Sequence, residues 1–455
     1  MAVRSTAGGP LRRLRSNPRY FTDGSGHAVY LTGSHTWADF QDNGPSDPPR
    51  PFDYDGYLDS LVAWNHNFFR LYVWEQAKWT AEFRGEYWFN PLPWVRTGPG
   101  LALDGNPKFD LHRFNEAYFE RLRARVEAAG RRGIYVSVML FNGWSLGPKG
   151  EADLNDPWRG HPFNAANNIS GIDGHGDPYP SGLASQTLLL PTVVAIQEAY
   201  LRKVIDAVND LDNVLYEVSN EGDASSIDWQ YHMINFVKAY EVTKPKQHPI
   251  GMTAPMFERD NAILFGSPAD WVSPNTLDGY RDAPPPADGS KVIINDTDHL
   301  GTVATLQNNG WVWKAFTRGE NPILMDPFDG YAIGVGAYPG YRPDDPRYVR
   351  FRRDMGETLT YASRMDLAHM APRGELASTG FCLAHPAVHQ AEYLVYLPEG
   401  GLVTVDLRAT EDSLAVEWLD PARATVFAAP PLGGGSVVGL RAPFRGPAVL
   451  YLRGV

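Results

Sequence analysis

The segment from Asn213 to Glu221 contains the residues best suited to chemistry, because an amide and a carboxyl group directly follow an apolar run. Residues 214–218 are mostly aliphatic or aromatic, and the Ser-Asn-Glu-Gly-Asp that follows them is rich in turn formers. This pattern predicts a buried strand that presents Asn220 and Glu221 at its carboxyl end. Glu221 is a candidate proton donor, provided that burial or a second carboxylate favours its protonated form.

A second apolar run, residues 292–294, leads into Asp296, Asp298 and His299. Cleavage of a glycosidic bond needs two carboxyl groups, one protonated and one ionised. A gap of about 5–5.5 Å lets the ionised group attack the sugar, whereas about 6.5–9.5 Å leaves room for water. Glu221 and Asp296 meet this requirement if their strands lie on opposite sides of one barrel mouth. The register favours Asp296 over Asp298 as the second catalytic residue, and both stereochemical outcomes stay open.

Polar and aromatic residues also end the other predicted strands. Asn220 is placed to bind the sugar hydroxyl beside the anomeric carbon. Amides, acids, histidines and tryptophans at several strand ends together predict a site for a hydroxyl-rich ligand, although each alone is a weak signal. The candidate substrate-binding residues are His35, Trp37, Asp39, Arg70, Glu75, Asn142, Trp144, Asn220, His299 and Asp326. Asp326 is also a further candidate acid.

These residues must be positioned by strands and helices that alternate along the chain. The predicted strands cover residues 29–32, 68–73, 134–140, 214–218, 249–252, 271–272, 292–294 and 323–325. The predicted helices cover residues 57–64, 114–129, 191–211, 229–240 and 347–369. This alternation predicts an α/β fold, a (β/α)₈ TIM barrel with its site at the carboxyl ends of the strands. An open α/β sheet is the alternative, but no Gly-x-Gly-x-x-Gly loop follows an early strand. The insertion 147–188 is expected to form one wall of the pocket.

A change of pattern near residues 372–374 indicates a domain boundary. Short alternating strands separated by glycine-rich turns follow it, which predicts an antiparallel β-sandwich of about 80 residues. The two domains are then 1–374, the barrel with a short N-terminal β segment, and 375–455, an accessory domain. The second domain contains no obvious catalytic pattern, so we expect it to support the barrel.

Composition restricts the class of partner. The net charge of −12 and the absence of clustered Lys and Arg argue against nucleic acid, and no apolar run is long enough to cross a membrane. A single cysteine, Cys382, excludes intrachain disulfides and cysteine-based zinc sites. We expect no cofactor or metal, although Asp298 and His299 are an alternative metal pair that lacks a third ligand. A cytoplasmic location is expected unless a signal peptide has been removed, and the oligomeric state is left open.

Two resemblances sharpen this interpretation. Asn220-Glu221 after predicted strand four, with a carboxylate at the end of strand seven, resembles the clan A glycoside hydrolases, which are retaining (β/α)₈ enzymes. The resemblance implies that Glu221 is the acid/base and that the strand-seven acid is the nucleophile. Clan A enzymes have Glu at the second position, whereas this chain has Asp296-Thr-Asp298, which leaves Asp296 and Asp298 as alternative nucleophiles.

More narrowly, segments 17–24, 30–37, 311–319 and 325–327 look like the apiosidase-like catalytic domain. The C-terminal strands are similar to a small domain, labelled collagen-binding, that often follows it. This resemblance implies exo cleavage of a plant-type or microbial polysaccharide, and it adds Trp313 to the candidate substrate-binding residues. A barrel that binds carbohydrate without cleaving it is the alternative function, and protein binding through the C-terminal domain is a third possibility.

Overall fold

The computed structural model describes residues 8–81, 85–148, 156–256, 260–274, 284–297, 310–326, 328 and 344–455. Strands and helices are numbered in chain order. The chain begins with a short antiparallel pair, β1 (Arg12–Arg13) and β2 (Phe21–Thr22). Leu11, Phe21 and Leu31 from this region are buried in one apolar cluster with residues of the barrel strands, including Phe68 and Leu215. The N-terminal segment is therefore part of the barrel core.

The central sheet has eight parallel strands, which confirms the predicted (β/α)₈ architecture. In chain order the strands follow one another around the sheet, and the first and second approach each other to close it. The barrel strands are β3 (Gly33–His35), β5 (Phe68–Leu71), β10 (Tyr135–Asn142), β11 (Val214–Asn220), β12 (Ile250–Thr253), β13 (Trp271–Ser273), β14 (Val292–Asp296) and β15 (Asn321–Met325).

The first barrel strand lies later in the sequence than predicted, at Gly33–His35 instead of 29–32. Two asparagine side chains explain the difference. The backbone N–H of Leu31 donates to Asn321 Oδ1, and the N–H of Thr32 donates to Asn67 Oδ1, both at 3.0 Å. Because side chains take up these donors, Tyr30 and Leu31 are buried without joining the strand ladder of the barrel.

Helices follow most barrel strands and cover the sheet. The helices are α1 (Tyr54–Ala63), α2 (Glu116–Gly130), α3 (Pro191–Val208), α4 (Ile227–Glu241), α5 (Ala262–Phe265), α6 (Trp311–Thr317) and α7 (Pro346–Arg364). Asp53 caps the first by accepting from Gly56 N at 3.0 Å, and Pro191 opens the third. Short 3₁₀ turns lie at Gly143–Ser145, Pro157–Gly160, Ala165–Asn167, Leu183–Gln186, Ala224–Ser226 and Gly374–Leu376. No helix in the described ranges is long and apolar enough to cross a bilayer.

Extra strands are inserted near the carboxyl ends of the first two barrel strands, which sequence reasoning missed. One three-stranded sheet consists of β4 (Asp42–Gly44), β6 (Lys78–Ala81) and β7 (Gly85–Asn90). A hairpin follows, formed by β8 (Trp94–Leu101) and β9 (Pro107–Phe114). Their apolar side is continuous with the barrel core through Phe89, Trp94 and Phe109.

The C-terminal region is antiparallel, as predicted. A six-stranded sheet and a two-stranded ribbon share one apolar core. The strands are β16 (Ala371–Pro372), β17 (Cys382–His385), β18 (Glu392–Leu397), β19 (Gly400–Asp406), β20 (Ser413–Asp420), β21 (Thr425–Gly433), β22 (Val437–Arg445) and β23 (Ala448–Gly454). The sheet already includes Ala371, and the domain boundary at 374 stays a prediction.

A second apolar cluster joins the C-terminal sheet to the barrel helices. It contains Trp313 from α6 and Tyr361 from α7 on one side, and Tyr396 and Tyr451 from the sheet on the other. Tyr361 and Arg364 also hydrogen-bond the Glu417 carboxylate at 2.7–2.9 Å. The C-terminal sheet is therefore packed against the barrel helices through buried contacts.

Candidate active site

Glu221 directly follows barrel strand four and is only partly buried. Its backbone has φ of 44°, which is the left-handed region that residues with a Cβ seldom adopt. The next residue is fixed on one side by a hydrogen bond from Met256 N to Gly222 O at 2.8 Å. On another side Gly222 lies against Gly143. A Cβ atom on Gly143 would be only 2.4 Å from Gly222 Cα. A strained backbone held by its neighbours is typical of functional positions.

Asp296 is the last residue of barrel strand seven and is fully buried. One carboxylate oxygen accepts from Arg70 Nη1 at 2.6 Å, and the other is 3.0 Å from His35 Nε2. Because an ionised carboxylate can only accept hydrogen bonds, His35 donates through Nε2. The other ring nitrogen of His35 has no hydrogen-bond partner among the described residues. Asp296 is therefore held rigidly by groups from strands one and two.

Arg70 connects three barrel strands below the mouth. Besides Asp296, it donates Nε to Glu217 Oε2 at 2.7 Å and Nη2 to Asn220 Oδ1 at 2.7 Å, and a second bond to Glu217 makes that pair bidentate. Alternate residues of a barrel strand face the interior, which brings Arg70, Glu217 and Asp296 together. The guanidinium thereby links the ends of strands four and seven, where the two predicted catalytic residues lie.

A further chain of hydrogen bonds runs from Asn220 along the mouth. Asn220 Nδ2 donates to the Tyr72 hydroxyl at 2.9 Å and to Asn142 Oδ1 at 3.3 Å. Asn142 N in turn donates to Glu75 Oε1 at 2.6 Å, and Glu75 Oε2 is 3.3 Å from His161 Nε2. The structure therefore brings Asn220, Asn142 and Glu75 together, and His161 shows that the insertion 147–188 reaches this network.

Burial decides which of these residues a ligand can reach. Asn142 and Asn220 are fully buried and their amides are occupied, whereas Glu75, Trp144 and Glu221 are partly exposed. Trp144 packs edge-on against Trp74, with 5.2 Å between ring centroids, and against Trp79 at 4.7 Å. Trp37 is largely buried nearby, and its carbonyl accepts from Trp74 Nε1 at 2.7 Å.

Burial raises the pKa of the Asp39 carboxyl to about 7. One of its oxygens accepts from Tyr72 N at 2.7 Å, and the other has no hydrogen-bond partner in the described part of the chain. His66, which contacts strand one at Ser34, has its pKa lowered to about 4 by burial. Its Nδ1 is 3.3 Å from the Ser34 hydroxyl. Both groups are therefore neutral over part of the range between pH 4 and 7.

Two predicted binding residues have other roles in the structure. Trp313 is completely buried in the cluster that joins the barrel helices to the C-terminal sheet, with its ring stacked on Tyr396 at 6.4 Å. Its assignment to sugar binding is corrected, because a side chain with no exposed surface cannot contact a sugar. Asp326 does follow strand eight, but both carboxylate oxygens accept from Arg352, at 2.6 and 2.7 Å. It is thus engaged in a buried ion pair.

Asp298 and His299 lie outside the described residues, so the choice between Asp296 and Asp298 stays a prediction. Within the ranges that are described, no group of three or more His, Cys, Asp or Glu side chains is arranged to hold a metal ion. Glu217, Tyr72 and His161 also belong to the hydrogen-bond network of the site, and none of them was predicted from the sequence. The signal for Glu217 was present, since a carboxylate inside an apolar strand must find a cationic partner.

Comparisons with known proteins agree with this architecture. The family model described as "Domain of unknown function (DUF6298)" matches residues 80–267. No curated protein has a significant sequence match to the chain. A solved structure described as a glycoside hydrolase has 11% identity and a TM-score of 0.61, covering 98% of this chain and 97% of its own. This chain has the fold of that glycoside hydrolase.

Two other structures, both from Bacteroides vulgatus ATCC 8482, extend the comparison. A glycoside hydrolase family 5 protein has 12% identity and a TM-score of 0.61, covering 98% of this chain and 94% of its own. A protein described as a provisional glycoside hydrolase has 14% identity and a TM-score of 0.65. The match covers 99% of this chain and 84% of its own. At these identities the likeness concerns the fold, and the assignment of residues rests on the site geometry.

Proposed function

We propose that this protein is a glycoside hydrolase of the retaining type, with Glu221 as acid/base and Asp296 as nucleophile. The observation that supports this most directly is the position of Arg70, which hydrogen-bonds both Asn220, the neighbour of Glu221, and Asp296. One guanidinium therefore connects the two strand ends from which a pair of carboxyl groups would act on one glycosidic bond.

The proposed reaction has two steps. Glu221 donates its proton to the glycosidic oxygen while an Asp296 carboxylate oxygen attacks the anomeric carbon, and the aglycone alcohol leaves. Glu221 then removes a proton from water, which attacks the same carbon and releases the sugar and the free Asp296 carboxylate. The hydrogen bonds from Arg70 and His35 orient the attacking oxygen before substrate binds.

The partly exposed residues are the ones we assign to sugar contact. Glu75 can accept hydrogen bonds from sugar hydroxyls, and Trp144 offers an aromatic face. We assign Asn220 and Asn142 to positioning instead, because their buried amides already bond to protein groups. The shorter side chain of Asp296, compared with the glutamate of clan A enzymes, keeps inversion as the alternative stereochemical outcome.

The substrate we propose is a plant-type or microbial polysaccharide or oligosaccharide cleaved from its end, as the resemblance to the apiosidase-like domain implies. The C-terminal domain we propose to be a support for the barrel. Its buried contacts with α6 and α7 favour that role over protein binding.

Hydrolysis of aryl glycosides of arabinose, apiose, rhamnose, galactose and glucuronic acid tests the proposal. We expect turnover of at least one by the parent protein, and loss of hydrolysis with retained binding in Glu221→Gln. NMR of the first-formed anomer distinguishes retention from inversion. Unchanged hydrolysis in Glu221→Gln would refute the assignment.

The complete burial of Asp296 favours a second candidate function, a barrel that binds carbohydrate without cleaving it. In that case the parent protein binds sugars, hydrolyses none of the aryl glycosides, and loses no affinity in Glu221→Gln.

A further inference from the structure

A cavity of about 380 Å³ lies in the region inserted after barrel strands one and two, apart from the residues assigned to catalysis. Its walls come from β7 of the three-stranded sheet and from both strands of the β8–β9 hairpin. All of its lining residues belong to the described part of the chain. The volume is within the range of small-molecule sites, about 300–1,000 Å³.

The lining combines aromatic rings with amides. Trp88 is partly exposed in the cavity wall, and Asn90, Asn106 and Asn115 contribute carboxamides. One face of the Trp88 ring lies under the Lys78 ammonium at 4.6 Å. Lys78 is not part of the cavity lining, so the cavity meets other parts of the ring. Aromatic surface beside amides is the combination that binds the apolar face and the hydroxyls of a sugar ring.

Several of these polar groups have unused hydrogen-bonding capacity. Asn106 uses Nδ2 to donate to Asp47 Oδ2 at 2.9 Å, and Asn115 uses Nδ2 to donate to Leu92 O at 3.0 Å. In both amides the oxygen has no hydrogen bond to another described residue. The Asn90 carboxamide is exposed and likewise makes none within the described ranges. The cavity therefore offers both donors and acceptors to a ligand with hydroxyl groups.

The charges favour a neutral ligand. The Arg96 guanidinium carbon lies over the Phe109 ring, 3.9 Å from its centroid, and the guanidinium is paired with Asp104. Asp47 adds a carboxylate to the lining, and an anionic ligand would be repelled by it. A neutral sugar unit fits this balance better than a uronic acid or a phosphate.

The cavity is close to the barrel mouth. Phe89 lines the cavity and packs on Trp74 with 5.1 Å between ring centroids, and Trp74 packs on Trp144 at 5.2 Å. Trp144 is one of the partly exposed residues at the mouth. Two successive ring contacts thus connect the cavity wall to the candidate active site, a distance that an extended saccharide chain can cover.

We infer that this cavity binds a neutral sugar unit of a polysaccharide whose scissile bond lies at Glu221. The inference rests on the proposed function, because it assigns the distant part of the same substrate. Trp88 supplies the platform, and the three asparagines with Asp47 bind the hydroxyl groups.

Affinity electrophoresis of the full chain in gels that contain arabinogalactan, galactomannan or arabinoxylan tests the inference. The Glu221→Gln protein is used, so that the polysaccharide is not consumed. We expect retardation by at least one polymer, and a dissociation constant at least tenfold higher when Trp88→Ala is added. Asn90→Ala, which removes an exposed amide, should raise the dissociation constant by about threefold or more. Leu101→Ala is the matched control, because Leu101 is exposed on the same hairpin outside the cavity.

Hydrolysis of aryl monosaccharides separates the two proposals, because such small substrates do not reach the cavity. Trp88→Ala in the otherwise unchanged protein should keep the parent kcat/KM. Retardation equal to the parent in both Trp88→Ala and Asn90→Ala, with circular dichroism showing intact folding, would overturn the inference. Absence of retardation by all three polymers would also overturn it. Polysaccharide binding that depends on Trp88, without any aryl glycoside hydrolysis, would support the cavity and refute the proposed catalysis alone.

Discussion

Arg70 and Asp296 form a buried ion pair across the barrel, with Nη1 2.6 Å from Oδ2. Arg70 comes from strand two and Asp296 from strand seven, and both side chains are about 1% exposed. The same guanidinium also holds Glu217, so one cation is shared between two carboxylates. A buried charge that loses its partner is strongly destabilising, which makes Arg70 essential for the geometry of the site.

Arg70→Lys keeps the charge but removes the planar fork that makes several bonds at once. We expect the free energy of unfolding to fall by up to about 3–5 kcal/mol, because one ammonium cannot bond Glu217 and Asp296 together and leaves one carboxylate buried without its partner. Hydrolysis in the fraction that remains folded should fall by roughly 10²-fold, because Asp296 is no longer oriented. Urea unfolding and aryl glycoside kinetics measure the two effects.

Arg123→Lys is the control for this change. Arg123 makes a similar bidentate pair with Asp210, but at the surface. Surface pairs contribute about 0–1 kcal/mol, so this variant should keep nearly the parent stability and activity. Equal effects of the two lysine substitutions would contradict the assigned role of Arg70.

Asp296→Asn and Asp298→Asn test which aspartate is the second carboxylate of the proposed catalytic pair. If Asp296 attacks the sugar, its amide variant should lose roughly 10³-fold or more in kcat, as losses of catalytic groups commonly do. Asp298→Asn should keep activity within about tenfold of the parent. Steady-state kinetics with the best aryl glycoside measures both. A larger loss of kcat in Asp298→Asn than in Asp296→Asn would assign the nucleophile to Asp298 instead.

Much of the barrel was predictable from sequence because its strands are buried on both faces. The apolar runs around Leu215 and Ile293 indicated both the strands and their order, and so placed Glu221 and Asp296 at the correct strand ends. The end of a strand is indicated by the local hydrophobic pattern and by the turn residues that follow it, and both can be read from a single sequence. The first strand was misplaced because the side chains of Asn67 and Asn321 satisfy its backbone, a long-range contact with no local signal.

The partners of the site residues could not be predicted in the same way. Arg70 bonds to Glu217 because both residues face the interior at the same height of the barrel. The register between strands sets this height, and the register cannot be read from one strand's sequence. Trp313 was misassigned for a related reason. A tryptophan on a short helix looks the same in sequence whether it faces a ligand or, as here, Tyr396 of the C-terminal sheet.

The raised pKa of Asp39 makes stability depend on pH. Its folded pKa is about 7 and its ordinary value is 3.8, so the folded protein binds more protons between these limits. The free energy of unfolding should therefore fall as pH rises from about 4 to 7, with Asp39 contributing on the order of 4 kcal/mol. Asp39→Asn removes this contribution and should flatten the profile.

Urea unfolding of the parent and of Asp39→Asn at intervals from pH 4 to 8 measures the difference. Glu320 also has its pKa raised to about 7 by burial and acts in the same direction. Because Glu320 is present in both proteins, its effect cancels in the comparison. Identical pH profiles for the two proteins would show that Asp39 is not the group responsible.

Gly143→Ala tests whether the close contact behind Glu221 sets the position of this residue, the proposed acid/base. The added methyl would lie 2.4 Å from Gly222 Cα and 2.7 Å from Glu221 O, and backbone atoms must move to relieve this. A displacement of about 1 Å at a catalytic group can reduce the rate by roughly 10²-fold, and overpacking costs about 1–3 kcal/mol of stability. We therefore expect kcat to fall far more than the unfolded fraction accounts for. Gly433→Ala is the control, because no atom lies within 4 Å of a Cβ at that position. Parent-like kcat in Gly143→Ala would show that the contact does not position Glu221.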